Sequence, residues 1–145
     1  MSLFQQPEGL TIQGLSPMLY TPIMYEVIVK KGFSAAHQLR DTQGVFENIH
    51  GHNWQVDIAV GTQKLDPMGV VADFKIVEES VDAVIQPLDH QTLNEIPCFE
   101  DVNPSAENIA RYIFEELKRK LSTHPFQVKK ITVWETRNCG ASYSC

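Results

Sequence analysis

A strict two-residue alternation from His50 to Val60 constrains the fold more than any other feature of this sequence. The even positions hold two histidines followed by large apolar residues: His50, His52, Trp54, Val56, Ile58 and Val60. The odd positions are small or polar: Gly51, Asn53, Gln55, Asp57 and Ala59. Since successive side chains of a strand point to opposite faces, the segment is predicted to be a half-buried strand. The same alternation puts both histidines on its apolar face.

Three more segments alternate in the same way. A strand is predicted over about 24–36, and its odd, mostly apolar positions continue to His37. A further strand is predicted over 127–135, and a short last one near 141–144. The neighbouring predicted strands over 24–36 and 50–60 can therefore present their histidines to one another.

Two helices are predicted between these pairs of strands. The first is capped by Asp73 and ends near Pro87, and the second is capped by Ser105 and ends in the basic turn 118–120. Three aromatic residues are expected in the core: Phe74, Phe114 and Phe126. The order of two strands, two helices and two strands indicates an α+β fold with an antiparallel sheet covered on one face.

Length and charge exclude several classes of protein. The 145 residues suit one domain. Residues 1–22 are interrupted by prolines and glycines and predict an irregular extension before a domain over 23–145. A net charge of −6 argues against broad nucleic-acid or membrane binding, and no apolar run is long enough to span a bilayer. Three cysteines without a CxxC pair, and no secretory signal pattern, predict a cytoplasmic protein.

His37, His50 and His52 form the candidate metal site. Residues at i and i+2 of a strand project from one face about 7 Å apart, and His37 ends the inward face of the preceding strand. Three neutral imidazoles that leave one position open are typical of catalytic zinc. The spacing alone leaves open the alternative that these are hydrogen-bonded core or surface histidines.

Four titratable residues are candidates for substrate binding or proton transfer. Glu135 ends an apolar strand face, where a ligand with two N–H donors would satisfy a buried carboxylate. Asp89 and His90 follow the first helix and suit either proton transfer or a helix end. Glu47, three residues before His50, is a solvated loop residue unless a metal lies nearby, where it can act as a general base.

Together these residues resemble the 6-pyruvoyl-tetrahydropterin synthase / 6-carboxy-tetrahydropterin synthase family. The matching segments occur in family order: Phe33-Ser34-Ala35-Ala36-His37, His50-Gly51-His52-Asn53-Trp54, Gly69-Val70-Val71-Ala72-Asp73-Phe74, Leu88-Asp89-His90, Pro104-Ser105-Ala106-Glu107-Asn108 and Trp134-Glu135-Thr136. The resemblance implies the tunnelling fold (T-fold), a four-stranded antiparallel sheet with two helices on one face. It also implies trimers whose sheets join into a barrel, two of which stack as a hexamer with active sites between subunits.

The resemblance also implies roles for the candidate residues. Zn²⁺ would be bound by His37, His50 and His52. Asp89 and His90 match the proton-relay pair of the family.

On the substrate side, Glu135 would bind the 2-amino and N3 edge of a pterin that carries a triphosphate. Ser105 and Glu107 match a region that lines the pterin pocket in relatives.

One position departs from the synthases of this family. They carry a catalytic cysteine four residues before the first histidine of the HxH motif, and this chain has Phe46 there, followed by Glu47. The pattern Glu47-Asn48-Ile49-His50-Gly51-His52 resembles a third class of the family, found in some bacteria and in malaria parasites. That class implies cleavage of 7,8-dihydroneopterin triphosphate to 6-hydroxymethyl-7,8-dihydropterin for folate synthesis.

Three alternatives stay open from the sequence. The chain could be a 6-carboxy-5,6,7,8-tetrahydropterin synthase of the queuosine pathway, or a 6-pyruvoyl-tetrahydropterin synthase, with Glu47 in place of the thiol. It could also be an inactive pterin- or metal-binding oligomer. All the expected histidine and carboxylate positions are present, which favours an enzyme over an inactive relative.

Overall fold

Two long antiparallel strands form the centre of the fold in the computed structural model, which describes residues 24–145. The elements are β1 (Tyr25–His37), β2 (His50–Thr62), α1 (Phe74–Ile85), β3 (Gln91–Thr92), α2 (Ala106–Lys120), β4 (Gln127–Trp134) and β5 (Gly140–Ser144). Single 3₁₀ turns cover Gln86–Leu88, Leu93–Glu95 and Pro97–Phe99. The predicted irregular extension over residues 1–22 lies outside the described residues.

The sheet has the strand order β3-β1-β2-β4-β5. The four predicted strands pair antiparallel, which confirms the expected α+β fold with its four-stranded antiparallel sheet. The fifth strand, β3, was not predicted. It pairs parallel to β1 through only two residues, which is too short to leave a period in the sequence.

The alternation in β2 divides the two faces of the sheet as predicted. Trp54, Val56, Ile58 and Val60 are fully buried at 0% exposure, beneath the helices. Their burial removes a continuous apolar stripe from water, and at roughly 25 cal/mol per Å² of apolar surface this is a main stabilising contribution. The stripe leads directly to His52 and His50, so the histidines lie where the core meets solvent.

The helices begin at the predicted caps. Asp73 accepts a hydrogen bond from the backbone N–H of Lys75, and Ser105 accepts one from that of Asn108. These bonds satisfy N–H groups that have no partner within the helix. None of the helices among the described residues is long and apolar enough to cross a membrane.

One core prediction is wrong. Phe114 and Phe126 are buried, but Phe74 is 58% exposed. Phe74 is the first residue of α1. Val77, three residues later, is the first fully buried residue of α1. The apolar spacing that includes Phe74 therefore begins one turn before the helix packs against the core.

Candidate metal centre

The register of the two central strands brings three histidines together. His37 pairs with His50 across β1 and β2, and Ala35 pairs with His52. The ring centroids of the three histidines lie between 4.7 and 5.3 Å apart. The predicted grouping of His37, His50 and His52 is therefore observed. His37 is the most buried of the three, with only 1% of its surface exposed.

Backbone carbonyls orient two of the three rings. His37 Nδ1 lies 2.8 Å from the carbonyl oxygen of Pro104, and His50 Nδ1 lies 2.9 Å from that of Asn48. Because a carbonyl only accepts, Nδ1 carries the proton in each neutral ring and Nε2 presents a lone pair. Such bonds to the outer nitrogen typically fix the tautomer and orientation of a metal-binding histidine.

The two free nitrogens face one another at short range. Nε2 of His37 lies 3.2 Å from Nε2 of His50. Two lone pairs at this distance repel unless a proton or a cation lies between them. Four ligands at zinc–nitrogen distances of 2.0–2.1 Å stand about 3.3–3.4 Å apart at the corners of a tetrahedron, so the spacing suits a metal ion of this size.

The third histidine has a buried nitrogen without a hydrogen-bond partner in residues 24–145. His52 Nε2 is such an atom, although Oε1 of Glu135 lies 3.2 Å away. Burial lowers the pKa of His52, and the other two histidines add to this, whereas the Glu135 carboxylate acts in the opposite direction. A lowered pKa keeps the imidazole neutral near neutral pH, as a metal ligand requires.

These observations together describe a donor set that fits a divalent cation. One ligand atom from each of His37, His50, His52 and Glu135 lies within 4.8 Å of the others. Three imidazoles and a carboxylate are donors that zinc accepts. All three cysteines of the chain are free thiols, and the cluster includes none of them. The residues present therefore fit the implied metal.

Trp54 supports this cluster and was not predicted as a site residue. Its indole ring packs edge-on against His37 and His52, with centroids 4.9 and 5.3 Å away. Its Nε1–H donates to the carbonyl of Ala35 at 3.2 Å. The alternation that identified Trp54 as a core residue carried no signal of this contact with the histidines.

Glu47 lies beside the cluster, next to the nitrogen of His50 that faces away from His37. Its Oε1 is 3.9 Å from His50 Nδ1 and accepts a hydrogen bond from the backbone N–H of Leu39 at 3.0 Å. Its backbone N–H donates in turn to the carbonyl of Leu39 at 3.0 Å. The carboxylate is therefore held in place beside His50.

Asp89 and His90 form the predicted pair, but at a different place on the sheet. Asp89 accepts from the backbone N–H of Ser34 at 2.9 Å, and its second oxygen lies 3.0 Å from Nδ1 of His90. The Ser34 hydrogen bond lowers the pKa of Asp89, and His90 lowers it further. His90 has a φ of 57°, in the left-handed region that residues other than glycine seldom adopt.

His90 lines a shallow depression that includes Ala36, Gly51 and Asn53. Ala36, Gly51 and Asn53 have the opposite strand parity to the three histidines. The same depression also reaches Ala35 and His52, so it borders on the cluster. Neither Asp89 nor His90 belongs to the group of residues that could hold a metal.

Ser105 and Glu107 lie at the start of α2. The Ser105 hydroxyl accepts the capping hydrogen bond from Asn108, and Glu107 is exposed in the first turn. The residue before the cap, Pro104, supplies the carbonyl to His37. The region matched by the resemblance thus contacts the candidate metal centre through its backbone, a role that side-chain motifs do not reveal.

The fold and the cluster define a mixed α+β domain with a candidate metal centre at the end of its central strands. The chain belongs to the 6-pyruvoyl tetrahydropterin synthase family, whose sequence model matches residues 26–145. This confirms the family identified from the motifs. The family contains lyases and synthases that act on pterin side chains.

Relatives with different reactions match this chain. A dihydroneopterin monophosphate aldolase of Pyrococcus furiosus is 33% identical over 115 residues, covering 79% of this chain and 92% of the relative. A 6-carboxy-5,6,7,8-tetrahydropterin synthase of Rickettsia conorii is 29% identical, covering 74% and 91%. The human 6-pyruvoyl tetrahydrobiopterin synthase is 40% identical over 96 residues, covering 63% of each chain.

Solved structures confirm the fold of this family. The Caenorhabditis elegans 6-pyruvoyl tetrahydropterin synthase superposes with a TM-score of 0.75 at 26% identity, covering 85% of this chain and 96% of that one. The Plasmodium vivax 6-pyruvoyltetrahydropterin synthase gives 0.67 at 23% identity, covering 83% and 97%.

Proposed function

We propose that this chain is a zinc-dependent pterin side-chain lyase that converts 7,8-dihydroneopterin triphosphate to 6-hydroxymethyl-7,8-dihydropterin. One observation carries the proposal: a carboxylate, Glu47, is held beside three clustered histidines that have no thiol among them. The similarity to an aldolase of Pyrococcus furiosus supports cleavage of a carbon–carbon bond.

Cleavage between C1′ and C2′ of the side chain is a retro-aldol step. Zinc bound by the histidines supplies a Lewis acid that lowers the pKa of a substrate hydroxyl. Glu47 takes the proton of the 2′-hydroxyl as general base, and C2′ and C3′ leave as a two-carbon aldehyde with the phosphate groups on C3′. The bonding electrons enter the pterin ring and are protonated at C1′ to give the hydroxymethyl group.

Glu135 orients the pterin in this proposal. Its carboxylate lies beside His52, just after the end of β4 at Trp134. A carboxylate accepts two parallel N–H bonds from the 2-amino and N3 positions of the ring, which fixes the ring against the cluster. Ser105 and Glu107 lie at the helix start that contacts His37 through Pro104 and complete this side of the pocket.

The active site is completed by a neighbouring copy of the chain. Asp89 and His90 are not among the candidate metal ligands of their own chain, and in this proposal they exchange protons at the cluster of another subunit. We place the protein in a homohexamer of two stacked trimers whose sheets join into a barrel, in the cytoplasm. Edge pairing between copies also protects the exposed edge of β5.

Two other reactions are favoured by specific relatives. The Pyrococcus furiosus aldolase is named for a monophosphate, which makes dihydroneopterin monophosphate a second candidate substrate. The Rickettsia conorii relative makes 6-carboxy-5,6,7,8-tetrahydropterin synthesis the alternative reaction. An inactive pterin-binding oligomer would have the same fold and family.

The test is mass spectrometry of the pterin products after zinc-loaded protein is incubated with dihydroneopterin triphosphate or monophosphate. We expect 6-hydroxymethyl-7,8-dihydropterin. General bases typically raise the reaction rate 10²–10⁴-fold, so Glu47→Gln should lower kcat by about that factor. The glutamine keeps an acceptor for the Leu39 N–H. Glu79→Gln, on the exposed face of α1, serves as the control.

A 6-carboxy or 6-pyruvoyl product would assign the chain to the synthases. Turnover of dihydroneopterin monophosphate but not of the triphosphate would show that the monophosphate is the substrate. Absence of any product from a zinc-loaded oligomer would contradict the enzymatic proposal and favour a binding protein.

A further inference from the structure

The chain beyond β1 stays extended, and no strand from the described part of the chain lies beside its outer edge. Residues 38–40 follow His37, the last residue of β1, and precede the loop that returns to β2. On this edge β3 pairs with β1 only at Ala35 and Ala36. The backbone groups of residues 38–40 therefore need other partners, because unpaired polar groups near the core are costly.

Two asparagine side chains supply those partners. Asn94 Oδ1 accepts from the backbone N–H of Gln38 at 2.9 Å, and its Nδ2 donates to the Gln38 carbonyl at 2.8 Å. Asn103 does the same at Arg40, with both distances 2.8 Å. A carboxamide has the donor and acceptor of a peptide group, so each side chain replaces one residue of a strand. We call Asn94 and Asn103 the amide clamp.

The opposite edge of the same segment holds the proposed general base. Leu39, between the two clamped residues, donates to the Glu47 carboxylate and accepts from the Glu47 backbone N–H. In an extended chain, neighbouring residues direct their backbone groups to opposite edges. The amide clamp and Glu47 are therefore hydrogen-bonded to opposite edges of the same short segment, residues 38–40.

The clamp is also connected to the orientation of His37. Asn103 precedes Pro104, whose carbonyl accepts from His37 Nδ1 at 2.8 Å. The Asn103 carbonyl accepts from Nδ2 of Asn108 at 2.9 Å, which anchors this turn to α2. Hydrogen bonds thus join residues 37–40 to residues 103–104 at both ends of a closed loop.

We infer that Asn94 and Asn103 are positioning residues that set the orientation of His37 for metal binding and hold Glu47 beside it. This inference rests on the proposed function for the use of both groups. Neither asparagine needs to contact the substrate. Loss of either side chain frees a backbone N–H and carbonyl, lets residues 38–40 move, and so disturbs the ring of His37 and the Leu39 contact with Glu47.

The test compares Asn94→Ala and Asn103→Ala with the parent chain. Asp66→Ala is the matched control, because Asp66 also makes two side-chain bonds to backbone, accepting from Met68 at 2.8 Å and Val70 at 3.1 Å. Zinc affinity is measured by competition with a chromogenic chelator. Since loss of an outer contact typically costs 10–100-fold in metal affinity, we expect about a tenfold loss or more in the clamp variants and none in Asp66→Ala.

A second measurement does not use the metal. In metal-free protein, ¹⁵N NMR of the His37 ring, assigned with His37→Gln, should show protonation at Nδ1 in the parent. In Asn103→Ala we expect a mixture of the two tautomers. If an alanine variant fails to fold, Asn94→Asp or Asn103→Asp replaces it, since each keeps the acceptor and loses the donor.

Folded clamp variants that bind zinc as tightly as the parent, with an unchanged His37 tautomer, would overturn the inference. A parent protein that binds no zinc would contradict the proposed function instead. The tautomer measurement would then test the inference by itself. If His37 stays protonated at Nδ1 in Asn103→Ala, the inference is contradicted, and a mixture of the two tautomers supports it.

Discussion

Oε1 of Glu135 lies 3.2 Å from Nε2 of His52, a buried nitrogen with no hydrogen-bond partner among the described residues. The pair joins β2 to the end of β4, where Gln55 pairs with Trp134. A carboxylate at this position can face a cation held by the histidines and can also accept N–H groups of a pterin. The contact therefore places the candidate metal and the candidate substrate edge next to one another.

Replacement of Glu135 by glutamine should weaken pterin binding. One carboxylate oxygen becomes an amide donor, which faces the N–H groups of the ring instead of accepting from them. Because hydrogen bonds to charged groups contribute about 1.5–3 kcal/mol, affinity should fall roughly 10–150-fold. Fluorescence titration with neopterin measures this, and Glu79→Gln, at an exposed position of α1, shows whether loss of a carboxylate elsewhere has the same effect. Equal affinity of Glu135→Gln and the parent would exclude Glu135 from the pterin site.

Removal of one histidine of the cluster should abolish tight metal binding. His50→Ala deletes a ligand whose nitrogen lies 3.2 Å from that of His37. The loss should exceed the roughly 10–100-fold that changes in outer contacts cause. Zinc content after dialysis, measured by atomic emission, checks this. His124→Ala is the control, because His124 stacks on Phe126 outside the cluster. Full zinc content in His50→Ala would refute the ligand assignment.

Mixing two inactive variants should restore activity if sites form between subunits. His50→Ala damages the cluster, and Asp89→Ala damages the Asp89–His90 pair, which is not part of the cluster. In a mixed oligomer, some sites receive an intact cluster from one chain and an intact pair from its neighbour. We expect activity to appear after the two variants are unfolded and refolded together, and not after each is refolded alone. Continued inactivity of mixed oligomers would indicate that each chain acts on its own.

Acid should remove the stabilising effect of Asp89. Its pKa is lowered from the ordinary 3.8, first by the hydrogen bond from Ser34. A carboxyl with a lower pKa in the folded state stabilises the fold above its unfolded pKa, and the effect disappears as the pH falls through the folded value. Asp89→Asn should therefore be less stable than the parent at neutral pH and approach it below about pH 4.

Urea denaturation at a series of pH values measures this difference. Asp101→Asn, which alters an exposed carboxylate, is the control. A difference between Asp89→Asn and the parent that stays constant into strong acid would show that the charge of Asp89 does not stabilise the fold.

Local patterns were enough to predict most of the fold and the histidine cluster. The alternation in β2 identified its buried face, and the caps Asp73 and Ser105 marked where both helices begin. These features depend on side-chain direction and on hydrogen bonds within a few residues, so they are written in the sequence itself. The exposure of Phe74 was missed because helical spacing does not show where a helix first contacts its sheet.

The positions that the patterns missed depend on long-range contacts. Asn94 and Asn103 bind the backbone of residues 38–40, more than fifty positions away, and a lone asparagine in a loop carries no sign of such a partner. The same holds for Pro104, whose backbone carbonyl, not its side chain, orients His37. No period or motif encodes a contact that a backbone atom makes with a residue far away in the sequence.

The sequence by itself determined the family and the sheet face that carries the histidines. It also showed that Phe46 stands where the synthases carry a cysteine. The tertiary structure decided which groups meet: that His37, His50, His52 and Glu135 share one site, and that Asp89 and His90 are not part of it. The reason is physical. Side-chain direction follows from the chain's local geometry, whereas proximity depends on strand register and on the side chains that hold loop to strand.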